Sequence, residues 1–360
     1  MRPKDRFLAA MVRKPVDRVP MFDFLFQKPL YTESIGRTPG VYNARDAMDL
    51  TVALGLDGVW IPYGAAAGWS PEKLSANVYK DEWGTTFQSN EFAWPLDAPI
   101  ASPLKSRADL VGYTPPDPNA EGRMTEIETA RAINNTLGDK AVAVFGSVNG
   151  PVTVAWFLVG YENMCLAVYD DPGFLQAVVQ LSVDFALPMI ARQAQAGVDG
   201  IIVADDLGSS AGGFFKAAQF RTLFKPALKQ MMDCIKAHNL PIFFHTCGCV
   251  KDYLDDLAEL GIEALNPLQR TAGMDLAEVK RKYGDRFCLI GNIDSSRTLP
   301  YGSPEDVEHE VLEAIRMAAP GYGYILASDH SLHDGISVEN IRAMFEAGRK
   351  YGVYPLNLPS

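Results

Sequence analysis

Cysteine is scarce in this chain: Cys165, Cys234, Cys247, Cys249 and Cys288 are the only five in 360 residues. The number is odd and the spacing irregular, so no disulfide framework is expected and the thiols read as reduced, in a cytoplasmic setting. Long hydrophobic runs are also missing. The stretch 152–159 is about half the length that crosses a bilayer. No apolar segment follows the charged start Met1-Arg-Pro-Lys-Asp-Arg-Phe7, so neither a membrane span nor a signal peptide is expected. Positive charge is short too. Lys and Arg number 33 against 44 Asp and Glu, a net charge of −11, and no basic cluster is longer than Lys280-Arg281-Lys282. A nucleic-acid footprint is therefore not expected, although one local basic pocket for an anionic substrate remains compatible with the acidic total.

Apolar residues make up 48% of the chain and charged residues 21%, enough for a large core. Short apolar runs recur with helical stretches between them. Strands are expected at 18–22, 58–62, 141–147, 200–204, 241–244, 262–266, 287–291 and 322–327. Helices with an apolar stripe are expected at 172–197, 220–239, 251–260, 274–283 and 303–317; in the third, Tyr253, Leu254, Leu257 and Leu260 recur at helical spacing before Gly261 stops it. Eight strands alternating with helices predict an α/β fold, a (β/α)8 TIM barrel built as one domain over 1–360. A doubly wound open sheet would want a glycine fingerprint after its first strand, where Met21-Phe-Asp-Phe-Leu-Phe-Gln27 stands instead. The region 63–122 is rich in Pro, Trp and Ser and poor in periodicity; it reads as a loop elaboration with a small antiparallel patch over the mouth.

Polar residues gather where the apolar runs stop. The run Leu240-Pro-Ile-Phe-Phe244 ends in His245-Thr-Cys247-Gly, and alternate residues on an extended chain point the same way, so an imidazole and a thiol can share one cavity. Nitrogen and sulfur are the donors Zn²⁺ prefers. A third ligand should come from another strand end: His330 is the first candidate, with His333 as competitor, while Cys249 is either a ligand or packing. Other expected strand ends carry Asn149, Asp205-Asp206, Asn266, Asn292-Ile-Asp294 and Asp329-His330. In a barrel these ends converge on one mouth, where such enzymes build their chemistry. Of Asp205 and Asp206, one is expected to cap the following segment and one to act in the site. Asn266, before Pro267, is either a turn former or functional, and Asp294-Ser-Ser-Arg297 either holds an anionic group or closes a salt-bridged loop. His238 and His309 lie on charged helical faces and carry no functional expectation.

Taken together, Lys14-Pro-Val-Asp-Arg-Val-Pro20, Glu82-Trp-Gly84, Gly150-Pro151 with Gly160, Gly197-Val-Asp-Gly-Ile-Ile-Val-Ala-Asp-Asp206, Phe244-His-Thr-Cys-Gly248, Leu289-Ile-Gly-Asn-Ile-Asp294 and Gly323-Tyr-Ile-Leu with Glu339-Asn-Ile-Arg-Ala-Met344 resemble the uroporphyrinogen decarboxylase superfamily. The chain looks closer to its cobamide-dependent methyltransferases than to its porphyrin decarboxylases. The resemblance implies a barrel with the active site at the strand C-terminal mouth. It also implies a zinc site built on the His-x-Cys pair, and methyl transfer to or from a corrinoid (cobalamin) carried by a partner protein. The late cysteine of that branch falls here on His330, which puts a thiol substrate in doubt and suits demethylation of a methoxylated aromatic equally well. Catalytic or orienting roles are then expected for Asp205, Asp206, Asn266 and Asp23, and substrate contacts for Asn149, Asn292, Asp294 and Arg297. The decarboxylase branch, which needs no metal, resembles a site with an arginine-rich loop beside a catalytic aspartate. Asp23 matches that aspartate by position, but the stretch Asp23-Phe-Leu-Phe-Gln-Lys28 has no arginine. A barrel that binds corrinoid or porphyrin without chemistry is the third reading.

Overall fold

A computed structural model describes residues 1–62, 71–90 and 94–359. Its centre is a curled sheet of seven parallel strands: Gly58–Trp60, Ala143–Asn149, Gly200–Ala204, Ile242–His245, Ala264–Asn266, Cys288–Ile293 and Tyr324–Ser328. They are hydrogen-bonded in chain order. The run expected as a first strand, 18–22, occupies the gap between the two edges without forming a regular ladder. Met21 bridges Leu326 in parallel sense, and Phe22 N donates to Leu326 O (3.0 Å) on one side. On the other side Asp57 N donates to Met21 O at 2.9 Å. Proline explains the weak pairing: Pro20, with no N–H, can contribute only its carbonyl, which Leu326 N uses at 2.9 Å. The (β/α)8 expectation therefore holds, with an atypical, incompletely paired first position.

All six residues of Cys288–Ile293 are buried, as parallel strands covered on both faces require. Inside the sheet the rings of Phe22, Phe145 and Phe243 meet at 5.3–5.8 Å. The helix Pro3–Met11 closes the end opposite the mouth, setting Phe7 against Phe22 and Phe145 at 5.8 and 5.1 Å. There the fully buried Asp57 takes Arg6 and Arg18 and the backbone N of Met21 at 2.6–2.8 Å, tying the irregular first segment to the first regular strand.

The expected helices are present with two breaks. The 220–239 stretch divides into Ala217–Leu223 and Lys225–Ala237 because Pro226 starts a new helix. The 251–260 stretch opens as a short 3₁₀ turn before Leu254–Leu260. The helix Pro172–Gln195, capped by Asp171 through Phe174 N, is long and apolar enough to cross a membrane by length and composition; here it lies in the protein's own core, with eleven of its residues buried. Part of the elaboration over 63–122 is a four-stranded antiparallel sheet, Glu72–Lys73, Val78–Lys80, Thr86–Gln88 and Ala98–Ala101. It is fastened to the helix Pro151–Val159 through Thr85 Oγ1 on Phe157 O (3.1 Å) and the Phe87–Phe157 ring pair. The remainder of that region at 63–70 and 91–93 lies outside the described residues.

Candidate metal centre and active site

His245 is the last residue of its strand, so its ring leaves the sheet at the mouth, edge-on to Phe24 at 5.1 Å. Nδ1 meets Asn266 Oδ1 at 2.6 Å. An amide oxygen can only accept, so Nδ1 carries the proton and Nε2 keeps its lone pair for a ligand. Asn266 is itself held, its Nδ2 donating to Ile290 O at 3.2 Å. The backbone then turns sharply at Gly248, φ +81, where an added Cβ would lie 2.3 Å from the Gly208 backbone; no other residue fits there. That turn returns Cys247 Sγ to 3.5 Å from His245 Nε2. Two corners of a tetrahedron drawn with about 2.05 Å to nitrogen and about 2.3 Å to sulfur are about 3.5–3.6 Å apart. The pair is already spaced as two ligands of one zinc.

Asp206 completes the group. One of its carboxylate oxygens, His245 Nε2 and Cys247 Sγ all lie within 4.8 Å of one another. Its Oδ1 accepts from Cys247 N (2.9 Å), and its own N donates to Thr153 Oγ1 (3.0 Å). Burial, with Asp206 and then Asp329 adding negative charge, pushes the Cys247 thiol well above its ordinary range. A divalent cation would reverse that and take the thiolate. The donor set, one soft sulfur, one imidazole and one carboxylate at the mouth, fits zinc.

Asp205 has the other role. It is fully buried, accepts from Thr153 N at 2.8 Å and leaves its second oxygen without a partner. Burial pushes its carboxyl well above the ordinary carboxylate value, with the Thr153 N–H and the neighbouring Asp206 acting in opposite directions on it. Gly150 makes room for it: a Cβ there would come 2.3 Å from Asp205 Cγ. Asp205 thus accepts from the first turn of the Pro151–Val159 helix rather than from the segment that follows it, and Asp206 lies with His245 and Cys247.

His330 is half-buried just past the Tyr324–Ser328 strand, with Nδ1 on Ser331 Oγ at 2.9 Å. Burial foremost, then His245, lowers it to about 4, while Asp206 opposes the shift, so the three groups share one electrostatic neighbourhood. The ring is neutral at neutral pH, the form that ligates. It lies outside the tight set formed by Asp206, His245 and Cys247. His333 sits in the two-residue strand Leu332–His333, its Nδ1 accepting from Gly335 N at 3.1 Å. Cys249 is outside the set as well, on the far side of the Gly248 turn, with its N donating to Ser209 O.

The other expected residues divide between the mouth and its rim. Asp23 is buried where the first segment meets the last strand, accepting from Phe24 N, Ser328 N and Ser328 Oγ at 2.7–2.9 Å. Burial outweighs those donors and pushes its carboxyl up to about 7. Asn149 ends its strand half-buried. Asn292 donates to Leu268 O at 3.2 Å and lines a cavity of about 230 Å³ with Arg270, Asp275 and Glu310. Asp294 turns on its own loop, accepting from Ser296 N and Arg297 N at 2.8 Å, and Arg297 is exposed. Four supporting residues carried no expectation. Thr153 serves both aspartates; Thr246 Oγ1 accepts from Leu207 N; Gln269 Oε1 accepts from Gly248 N; Ser295 donates N and Oγ to the buried Asp329, which also takes Arg270 N. Lone hydroxyls and amides between strands leave no spacing signal.

Residues 95–351 match the family described as uroporphyrinogen decarboxylase (URO-D). The uroporphyrinogen decarboxylase of Methylococcus capsulatus is 25% identical over 356 residues, covering 96% of this chain and 97% of that protein. The methylcobamide:CoM methyltransferase MtaA of Methanosarcina barkeri is 26% identical over 361 residues, covering 97% and 98%. A solved methyltransferase from Methanosarcina mazei superposes with a TM-score of 0.75 at 24% identity over 98% of this chain and 99% of that one, a shared fold. Overall identity does not separate the two activities. With a family match over well more than half its length and relatives aligned nearly end to end, the chain belongs to the uroporphyrinogen decarboxylase family.

Proposed function

We propose that the chain is a zinc-assisted, corrinoid-dependent methyltransferase. It would move a methyl group between a small methylated donor, such as a methoxylated aromatic, or a thiol acceptor and a corrinoid held by a partner protein. The observation that carries this reading is the 3.5 Å approach of His245 Nε2 to Cys247 Sγ, with Nδ1 already engaged by Asn266. His245, Cys247 and His330 would hold the metal. When bound, zinc supplies a Lewis acid that activates a substrate oxygen or sulfur. The chain's own residues do the rest. Asn266 fixes the tautomer and plane of His245. Asp205, through Thr153 N, ties the strand end that carries Asp206 to the Pro151–Val159 helix, and Asp23 joins the first segment to the strand that leads to His330. Asn149 and Arg297 are the rim groups left to orient a polar head, whereas Asn292 and Asp294 act through the loops they hold.

A decarboxylase has less support. A substrate rich in carboxylates needs cations at the first strand end, and between residues 19 and 28 the charged side chains are only Asp23 and Lys28. The nearest arginine, Arg18, is spent on Asp57. A barrel that only binds a tetrapyrrole does not account for an imidazole, a thiol and a carboxylate converging within 4.8 Å. The test is methyl transfer from methoxylated aromatics, methanol and methylated amines to cob(I)alamin, followed by its absorbance change, with uroporphyrinogen decarboxylation assayed alongside. Methylcobalamin formation that needs Cys247 supports the reading; decarboxylation that survives Cys247→Ala refutes it.

A further inference from the structure

We infer that Asp206 is a fourth protein ligand of the metal centre, so that the site is a one-sulfur, neutral set of His245, Cys247, His330 and Asp206. This rests on the metal reading above and adds that, before substrate binds, Asp206 holds the fourth position that a substrate oxygen or sulfur would take from it. Three observations lead there. A carboxylate oxygen of Asp206 already lies within 4.8 Å of both His245 Nε2 and Cys247 Sγ. The carboxylate is aimed rather than free: its residue is fixed on one side by Thr153 Oγ1 at 3.0 Å and on the other through Cys247 N at 2.9 Å. And among the described residues no lysine or arginine pairs with it, although it is half-buried. A carboxylate withdrawn from water without a cation is costly; a metal ion in the triad is the cation this geometry accepts.

Charge gives the same answer. One thiolate and two neutral imidazoles leave a divalent metal with a residual charge of +1, at a mouth where His245, Cys247 and His330 are all half-buried. Adding the Asp206 carboxylate brings the sum to zero, which a partly desolvated site favours. Its neighbour Asp205 cannot do this, being fully buried behind Thr153. Two adjacent aspartates of identical chemistry are thus separated by which side of the turn each faces.

The experiment is zinc-edge X-ray absorption on the full chain loaded with zinc alone, beside Asp206→Asn and Asp206→Glu, with zinc affinity by chelator competition and folding by circular dichroism. Expected for the unaltered chain is one sulfur at about 2.3 Å and three nitrogen or oxygen donors at about 2.0–2.1 Å. Asp206→Asn should bind zinc at least about tenfold more weakly, and Asp206→Glu should recover part of that loss. In the cobalt(II)-loaded protein the intense d–d bands of a four-coordinate site should weaken or shift in Asp206→Asn. Equal affinity and an unchanged spectrum in folded Asp206→Asn overturn the role of Asp206 and leave the metal reading standing. Failure of the unaltered chain to hold zinc overturns both.

Discussion

Two sets of strand ends on the same mouth carry similar polar residues and use them in opposite ways. At the ends of Gly200–Ala204 and Ile242–His245, donors are left open: Asp206, His245 Nε2 and Cys247 Sγ converge on one point. At the ends of Cys288–Ile293 and Tyr324–Ser328, carboxylates are closed. Asp294 is taken by two backbone N–H groups and Asp329 by two N–H groups and a hydroxyl. The difference lies in the backbone that follows. Past His245, the Gly248 turn is fastened by Gln269 and the Ser209 backbone, and Asp206 Oδ1 takes only Cys247 N, so His245 Nε2 and Cys247 Sγ are not needed to hold it. Past Ile293, the chain enters a loop whose free N–H groups need an acceptor, and the aspartates supply it. A polar residue at a barrel mouth is available for chemistry only when something else holds its loop.

His330 stands between the two sets, and removing it should have the largest effect on the open one. His330→Ala is expected to weaken zinc retention by at least about 100-fold while the circular dichroism spectrum and melting temperature stay put; stoichiometric zinc and full methyl transfer in this variant would give its place to another residue. Asn266→Ala comes next, lowering zinc affinity about 10- to 100-fold through the freed His245 ring, as read by chelator competition.

The closed set should answer in stability instead. Asp23 has its carboxyl raised to about 7, above its unfolded value. The folded protein therefore holds a proton there that the unfolded chain has already released, and this contribution is present below about pH 4 and lost as pH rises toward 7. Stability measured by denaturation should fall over that window by an amount on the order of 2–4 kcal/mol from this group, and Asp23→Asn should flatten the fall; an unchanged pH profile in that variant would remove Asp23 as its source. Asp294→Ala, the smallest of these, should cost about 1–2 kcal/mol by leaving two loop N–H groups without an acceptor, with zinc affinity untouched. Loss of zinc in Asp294→Ala would erase the distinction between the two sets.

How much of this was legible in the sequence follows the same line. Strand ends were readable because buried parallel strands are short apolar runs, and 200–204 is matched to the residue. The His245 and Cys247 pair was readable as an imidazole and a thiol two residues apart where an apolar run stops, but the strand ends at His245, so their 3.5 Å approach comes from the turn that follows and not from a strand's period of two. The first strand was readable as an apolar run but not as an irregular segment, since its pairing depends on Pro20 meeting Leu326 across the barrel. The helix break at Phe224 was missed although Pro226 marked it. Which of Asp205 and Asp206 faces the mouth was not legible, because the answer depends on Thr153 and the space left by Gly150, residues from a different strand end. The fastening roles of Asp294 and Asp329 were hidden for the same reason: a residue's composition does not say which distant N–H groups need it.

The most direct test of the account is metal analysis of the purified chain after incubation with zinc and removal of excess, beside His245→Ala and Cys247→Ala. The account predicts one zinc per chain in the unaltered protein and none in either variant, with all three melting alike, because a large buried apolar core does not depend on the metal for its stability. Zinc held equally by both variants, or by none of the three, would contradict it.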